Sequence, residues 1–186
     1  MRYGRVVRAI WVLALAACGA GEAAPAPPES PVVARARQWV DARVPYCQAI
    51  NHGRDNDPEC PAFCERPEHA EWDAYRSDCS GLVSWAWELP NEHGGRTTRE
   101  LAPFVRDVSY AIAPSELAPG DAVNNARHVM LFAGWLEPGR RARFIEEPGC
   151  TTDTPYAHEL DADVVVIGDS VVVDDRGVFT AIRRAR

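Results

Sequence analysis

The chain has 186 residues, 46% of them hydrophobic and 25% charged, which is enough for one ordinary globular core and too little for two. Its 20 basic residues are all arginine and stand against 27 acidic ones, and the resulting charge of −7 excludes nucleic-acid binding driven by phosphate neutralisation. Six tryptophans beside 13 glycines and 15 prolines exclude a disordered or collagen-like chain, while six cysteines need a compartment before they can be interpreted.

The N-terminus supplies that compartment. Arg2, Arg5 and Arg8 precede the apolar run Ala9 to Ala17, a charged region followed by a hydrophobic one, as in an export signal. Nine residues are too few for a bilayer core, which takes about 20. The run ends in Leu15-Ala16-Ala17-Cys18, which resembles the lipobox of bacterial lipoproteins, cut before a Cys whose thiol takes a diacylglyceryl group. The alternative is an ordinary secretory signal cut a few residues later, with Cys18 discarded. Residues 1–17 are thus expected to be a lipoprotein signal peptide, leaving 17 arginines against 27 acidic residues, or −10. Residues 18–29, rich in Ala and Pro, read as a flexible tether, and 30–186 as the folded domain.

Within the domain, Ser30-Pro31 offers an N-cap and a Pro at the first helical position. Val32, Val33, Ala36, Trp39 and Val40 follow at helical spacing as far as Pro45. Residues 47–77 are polar, carry Cys47, Cys60 and Cys64, and predict a long stapled loop. A second helix is expected from Cys79 through Leu82, Val83, Ala86 and Trp87 until Pro90 stops it, and Thr97 to Glu100 has capping-box spacing for a short third. After Pro119-Gly120-Asp121 the pattern changes to short strands at 122–124, 128–135, 142–147, 164–167, 171–173 and 178–183. Helices first and strands afterwards predict an α+β domain, with N-terminal helices packed on an antiparallel β-sheet.

Cys79 opens the second helix, where free N–H groups and the helix dipole favour an anion, so a thiolate near neutral pH is expected. Its backbone N–H could help to hold an oxyanion, and Ser80 and Gly81 leave room for a substrate. Taken alone, such a cysteine is commonly an inert buried one or half of a disulfide. A nucleophilic thiol needs a base. His52, His69, His93 and His158 lie in polar, loop-like segments, whereas His128 begins the strongest strand, about 50 residues after Cys79. The strand from 142 to 147 should pair with it across Glu137-Pro138-Gly139 and offers Glu146 or Glu147, on opposite faces, to orient the imidazole. Glu146 is preferred, sharing parity with Phe144 in a regular strand; a bulge near Pro148 would reverse the choice.

Pro45-Tyr46, Asp78-Cys79-Ser80-Gly81-Leu82-Val83, Pro119-Gly120-Asp121 and His128-Val129-Met130-Leu131-Phe132 together resemble the NlpC-type cell-wall cysteine peptidases, papain-like enzymes of bacterial envelopes. The resemblance covers roughly residues 33–147 and implies a papain-like α+β domain. It implies that Cys79 attacks an amide of a peptidoglycan stem peptide, typically between D-glutamate and the diamino acid, with His128 as base. Phe144-Ile145-Glu146 matches the place of the third polar residue, with Glu where His is more usual. Tyr46 matches the family's Tyr near the oxyanion, and Asp78 and Ser80 match positions that in some members bind the substrate's amino end. Two departures are the missing glycines after the Tyr and the 32 residues, three of them cysteine, between Tyr46 and Cys79.

With Cys18 lipidated and Cys79 reactive, Cys47, Cys60, Cys64 and Cys150 form an even set that predicts two disulfides of open connectivity. The competing zinc set is Cys47, Cys60, Cys64 and His69; no metal or other cofactor is expected. The expectation is a monomeric, lipid-anchored envelope protein, placed on the outer membrane or periplasmic face, with a peptidoglycan stem peptide as partner. The competing class is a non-catalytic lipoprotein that binds cell-wall peptides or a protein in the same groove.

Overall fold

The computed structural model describes residues 28–60, 63–66 and 69–186. The predicted signal peptide, the lipidation site Cys18 and nearly all of the tether lie outside the described residues. Among the described residues two α-helices come first, α1 (Pro31–Asp41) and α2 (Cys79–Ala86). Seven strands follow: β1 (Ser109–Ala111), β2 (Ala122–Asn124), β3 (Val129–Glu137), β4 (Arg141–Glu146), β5 (His158–Ile167), β6 (Ser170–Val173) and β7 (Gly177–Arg184). Among the described residues no helix is long and apolar enough to cross a membrane.

Every strand pairing is antiparallel. The order runs β7-β2-β3-β4-β5-β6, and β6 then pairs back onto β7, so six strands close into a barrel. Closure is possible because β7 uses both edges. Its residues 180–182 pair with β2 on one side, 177–180 pair with β6 on the other, and 182–184 carry β1 beyond β6. Two register shifts in the β3–β4 pair, at Ala133 and Leu136, bend β3 along the curving wall.

This architecture overturns the expected papain-like α+β domain. The protein is mostly a closed antiparallel barrel with two short helices, not N-terminal helices packed on a sheet. Hydrophobic periodicity located β2, β3, β4, β6, β7 and the end of β5, though not β1, and it carried no sign that 170–173 would reach 177–180 and close the sheet on itself.

Side-chain alternation sorts the core into two layers. Met130, Phe132, Phe144, Val164, Val171 and Phe179 fill the barrel interior. Val129, Leu131, Ile145 and Ile182 point outward and meet Val33, Ala36, Trp39, Leu82, Val83 and Trp87 of the helices. The indole of Trp87 donates to the Gly120 carbonyl at 2.7 Å. Gly120 itself has φ +103, and an added Cβ would sit 2.8 Å from the Ser30 hydroxyl, so both conformation and space demand glycine there. Asp121 receives a bidentate pair from Arg183, 2.8 Å on each oxygen, locking the start of β2 to β7. The Pro-Gly-Asp motif therefore has a structural job.

Elsewhere the sequence expectations shift at their ends. The first helix stops at Asp41 rather than Pro45, with Arg43 at φ 49, and the third is a single 3-10 turn, Thr98–Glu100, with its capping box formed. Residues 47–77 are a loop, and the four remaining cysteines pair as Cys47–Cys64 and Cys60–Cys150, with Cα separations of 5.9 and 5.5 Å. The bridges close segments separated by 17 and 90 residues. Because a longer loop loses more unfolded-state entropy, Cys60→Ser/Cys150→Ser is expected to cost about 4–5 kcal/mol and Cys47→Ser/Cys64→Ser about 3 kcal/mol, as read from urea denaturation.

Candidate functional site

The site is built where α2 begins against β3. Asp78 is the N-cap of α2: its Oδ1 accepts from the Gly81 N–H at 2.7 Å and from the Ser80 hydroxyl at 3.0 Å. Its Oδ2 accepts from Arg76 Nε at 2.9 Å, and Arg76 also reaches Ser80 Oγ and the carbonyls of His93, Gly95 and Arg96. Gly81 is fixed by close approach, since a Cβ there would lie 1.8 Å from the Arg76 carbonyl oxygen. Asp78, Ser80 and Gly81 thus hold the helix start and clamp Arg76. Their polar atoms are engaged with one another.

Cys79 has no such job. Among the described residues it is the free cysteine, and it is buried. Burial pushes its thiol up to about 12, with the Asp78 charge adding to the rise, while the amides of Val129 and Ser80 pull the other way. The expected thiolate near neutral pH is therefore corrected: desolvation outweighs the field of a helix only eight residues long. At rest the group is a thiol. One of the amides acting on its sulfur belongs to Val129, so the backbone at the start of β3, immediately after His128, lies against the thiol.

His128 sits one residue before β3, in a turn held by Asn125. The Asn125 side-chain oxygen accepts from the N–H groups of Arg127 and His128 at 2.8 and 2.9 Å, and the Asn125 N–H donates to the His128 carbonyl. The imidazole is half-buried, and its Nε2 lies 2.8 Å from Glu146 Oε2. Glu146, at the end of β4, is fully buried. Burial alone would raise its pKa, but the hydrogen bonds from His128 and His158 and the charge of Arg176 win and hold it at about 2. Its stabilising ionised form persists above the ordinary carboxylate range and is lost as pH falls toward 2. Of the two adjacent acids, Glu146 is the one that meets the His128 ring.

Glu147 faces the other way and is equally buried, with neither oxygen hydrogen-bonded. Burial, together with the nearby Asp78 charge, pushes its carboxyl well above the usual range, so it stays protonated. Tyr46, ahead of the loop, is half-buried near Asp78 and Cys79, and burial raises its phenol above the ordinary value. Gln48 Nε2 donates to its hydroxyl at 3.2 Å, which leaves the phenolic proton free to donate.

Two concavities lie beside Tyr46 and Gln48. One, about 580 Å3, is lined by Gln48, Asn56, Arg76, Asp78, Arg96 and Glu100. The other, about 250 Å3, is lined by Tyr46, Arg66, Ser77 and the Cys47–Cys64 bridge. Cys79 lines neither.

The competing zinc set is not assembled. Cys47 and Cys64 bond each other, Cys60 bonds Cys150, and His69 stacks on Trp72 at 3.7 Å. Two other groupings, Cys47-Asp55-Cys64 and Asp57-Cys60-Cys150, bring ligand-type atoms within 4.8 Å of one another, but their sulfurs are those of the bridges.

Sequence reasoning missed Asn125, His158 and Arg176. Pro155-Tyr156 makes the segment ahead of His158 read as a loop, whereas β5 begins at His158 and pairs it directly with Glu146. The alternation of Leu160, Ala162 and Val164 carries back to His158 and was the available signal. Compared with protein-family models, with curated proteins and with solved structures, the chain matches none of them. The likeness to NlpC-type peptidases rests on the motif residues alone.

The buried acid gives a stability test. Glu147 is accommodated in its protonated form, so the stability it permits is present below the ordinary carboxylate pKa and is lost as pH rises. In thermal unfolding, Glu147→Gln is expected to match the wild type near pH 4 and to melt higher by roughly 2–4 °C near pH 8, the shift that about 1 kcal/mol gives a domain of this size.

Proposed function

We propose that this protein is a cysteine hydrolase of the bacterial cell envelope that cleaves amide bonds in peptidoglycan stem peptides, with Cys79 as nucleophile, His128 as base and Glu146 as the orienting carboxylate. The observation that carries the reading is the 2.8 Å pair between His128 Nε2 and a buried, ionised Glu146, made by a residue whose next backbone amide acts on the Cys79 sulfur. A carboxylate on Nε2 fixes the tautomer with its proton there, so Nδ1 presents the lone pair a base requires. The motif resemblance supplies the substrate class.

The thiol's raised pKa defines how the step would run. No thiolate–imidazolium pair is stored; His128 takes the Cys79 proton as sulfur adds to the carbonyl carbon, as a serine is activated. Glu146 stabilises the imidazolium that forms. The Cys79 N–H and the Tyr46 hydroxyl donate to the oxyanion. Collapse breaks the C–N bond, His128 returns its proton to the leaving amine, and a water deprotonated by His128 hydrolyses the thioester. The 580 Å3 concavity beside Asp78 and the Tyr46 pocket would take the two sides of the scissile bond.

One observation favours a second reading, a non-catalytic envelope protein that binds cell-wall peptides: the thiol is buried, lines neither concavity and is hard to ionise. In either reading a lipid at Cys18 would hold the protein at the membrane.

Mass analysis of purified peptidoglycan after incubation separates the two. Wild type is expected to release stem-peptide fragments, and Cys79→Ala to reduce release by about 10^3-fold or more while melting normally. Equal digestion by Cys79→Ala rejects the hydrolase, and intact peptidoglycan that nevertheless retains the protein supports the binder. Iodoacetamide labelling of the native thiol is expected to accelerate continuously from pH 6 to pH 10 rather than level off at acidic pH.

A further inference from the structure

The carboxylate that orients His128 is shared among three cationic or ionisable partners from three separate parts of the barrel. Its Oε2 belongs to His128. Its Oε1 accepts from Arg176 Nη2 at 2.6 Å and lies 3.4 Å from His158 Nε2. His158 comes from the first residue of β5, opposite Glu146 in the β4–β5 register. Arg176 comes from the turn between β6 and β7.

The chemistry of His158 follows from its acceptors. Its Nδ1 is 3.0 Å from the Tyr156 carbonyl, which can only accept, and its Nε2 faces a carboxylate, which also accepts. Both ring nitrogens are therefore asked to donate, and the imidazolium is the form that fits. The Glu146 hydrogen bond raises its pKa in agreement, while the Arg176 charge opposes.

The turn that delivers Arg176 is held in an uncommon backbone. Asp174 has φ 34 without being glycine, and Gly177 has φ 115, so left-handed residues bracket the arginine. Asp174 Oδ1 also accepts from the Asp163 N–H at 3.1 Å, tying the turn to β5. Unfavourable backbone persists where its surroundings fix it and clusters at functional sites.

We propose that Arg176 and His158 are positioning residues of the site: they grip Oε1 of Glu146, keep Oε2 on Nε2 of His128, and so leave the other ring nitrogen, Nδ1, as the one free to take a proton. This rests on the assignment of Cys79 and His128 as nucleophile and base. It places the β6–β7 turn, far along the chain from the sequence motifs, within the catalytic apparatus.

Three readouts on the full chain test it: kcat and KM for purified peptidoglycan, the pH profile of Cys79 alkylation by iodoacetamide, and the NMR titration of the His158 ring. Arg176→Gln is expected to lower kcat about 10- to 100-fold, the usual size for loss of a group that orients another, with KM unchanged. It is also expected to move the His158 titration to higher pH and to slow alkylation. Arg176→Lys, which keeps a cation at Oε1, should restore part of kcat, and His158→Gln should lower it. If Arg176→Gln does not fold, Arg176→Lys and His158→Gln decide by the same readouts. Folded variants with wild-type kcat and alkylation profiles overturn the inference while leaving the hydrolase intact. A wild type that releases nothing from peptidoglycan, but whose alkylation still depends on Arg176, overturns the hydrolase and supports the positioning role.

Discussion

The pairing of β7 with strands on both of its edges is the constraint on which the domain depends. Eight residues bond to β2 along one side and to β6 and then β1 along the other, so a single strand joins the ends of the sheet. The interior packing of Phe132, Phe144 and Phe179 exists only because that seam closes. The same seam determines where Arg176 stands, since the residue directly precedes β7. Barrel closure and the carboxylate network are two ends of one short segment.

Charge within the network follows from burial. Glu146 and Glu147 are adjacent, both fully enclosed, and forced in opposite directions. One meets an arginine and two imidazoles and stays ionised; for the other, burial beside the Asp78 charge outweighs the Ala157 amide and the Arg66 charge and favours the protonated form. Strand alternation alone separates them, by sending consecutive side chains to opposite faces. Cys79 illustrates the same competition at a helix end, where removal from water outweighs the dipole's preference for an anion. Position at a helix N-terminus predicts reactivity only while the group can be solvated or paired.

What could be read from the sequence divides along the range of the interactions. The strand 122–124 is legible to the residue because Pro119-Gly120-Asp121 punctuates it and a short apolar run follows. Cys79, His128 and Glu146 were legible as local patterns: an N-cap before a thiol, a histidine at the head of an alternating strand, an acid after an apolar pair. Barrel closure was not, because it depends on β6 meeting β7 in register, and neither segment's periodicity encodes its partner. The first half of β5 was missed because Glu159, Asp161 and Asp163 make the outer face look like loop. Disulfide connectivity is not encoded locally, because it depends on the fold bringing Cys60 and Cys150, 90 residues apart, to a Cα separation of 5.5 Å.

The Cys60–Cys150 bridge has a topological consequence. It turns residues 60–150 into a covalent ring that contains Cys79, His128 and Glu146, while Tyr46 lies before the ring and His158 and Arg176 after it. A single cut of the backbone anywhere from 61 to 149 leaves one covalently joined molecule. With Cys47–Cys64 spanning the stretch before the ring, the whole segment between Cys47 and Cys79 can be nicked by an external protease without detaching either the N-terminal helix or the closing strands from the rest of the domain.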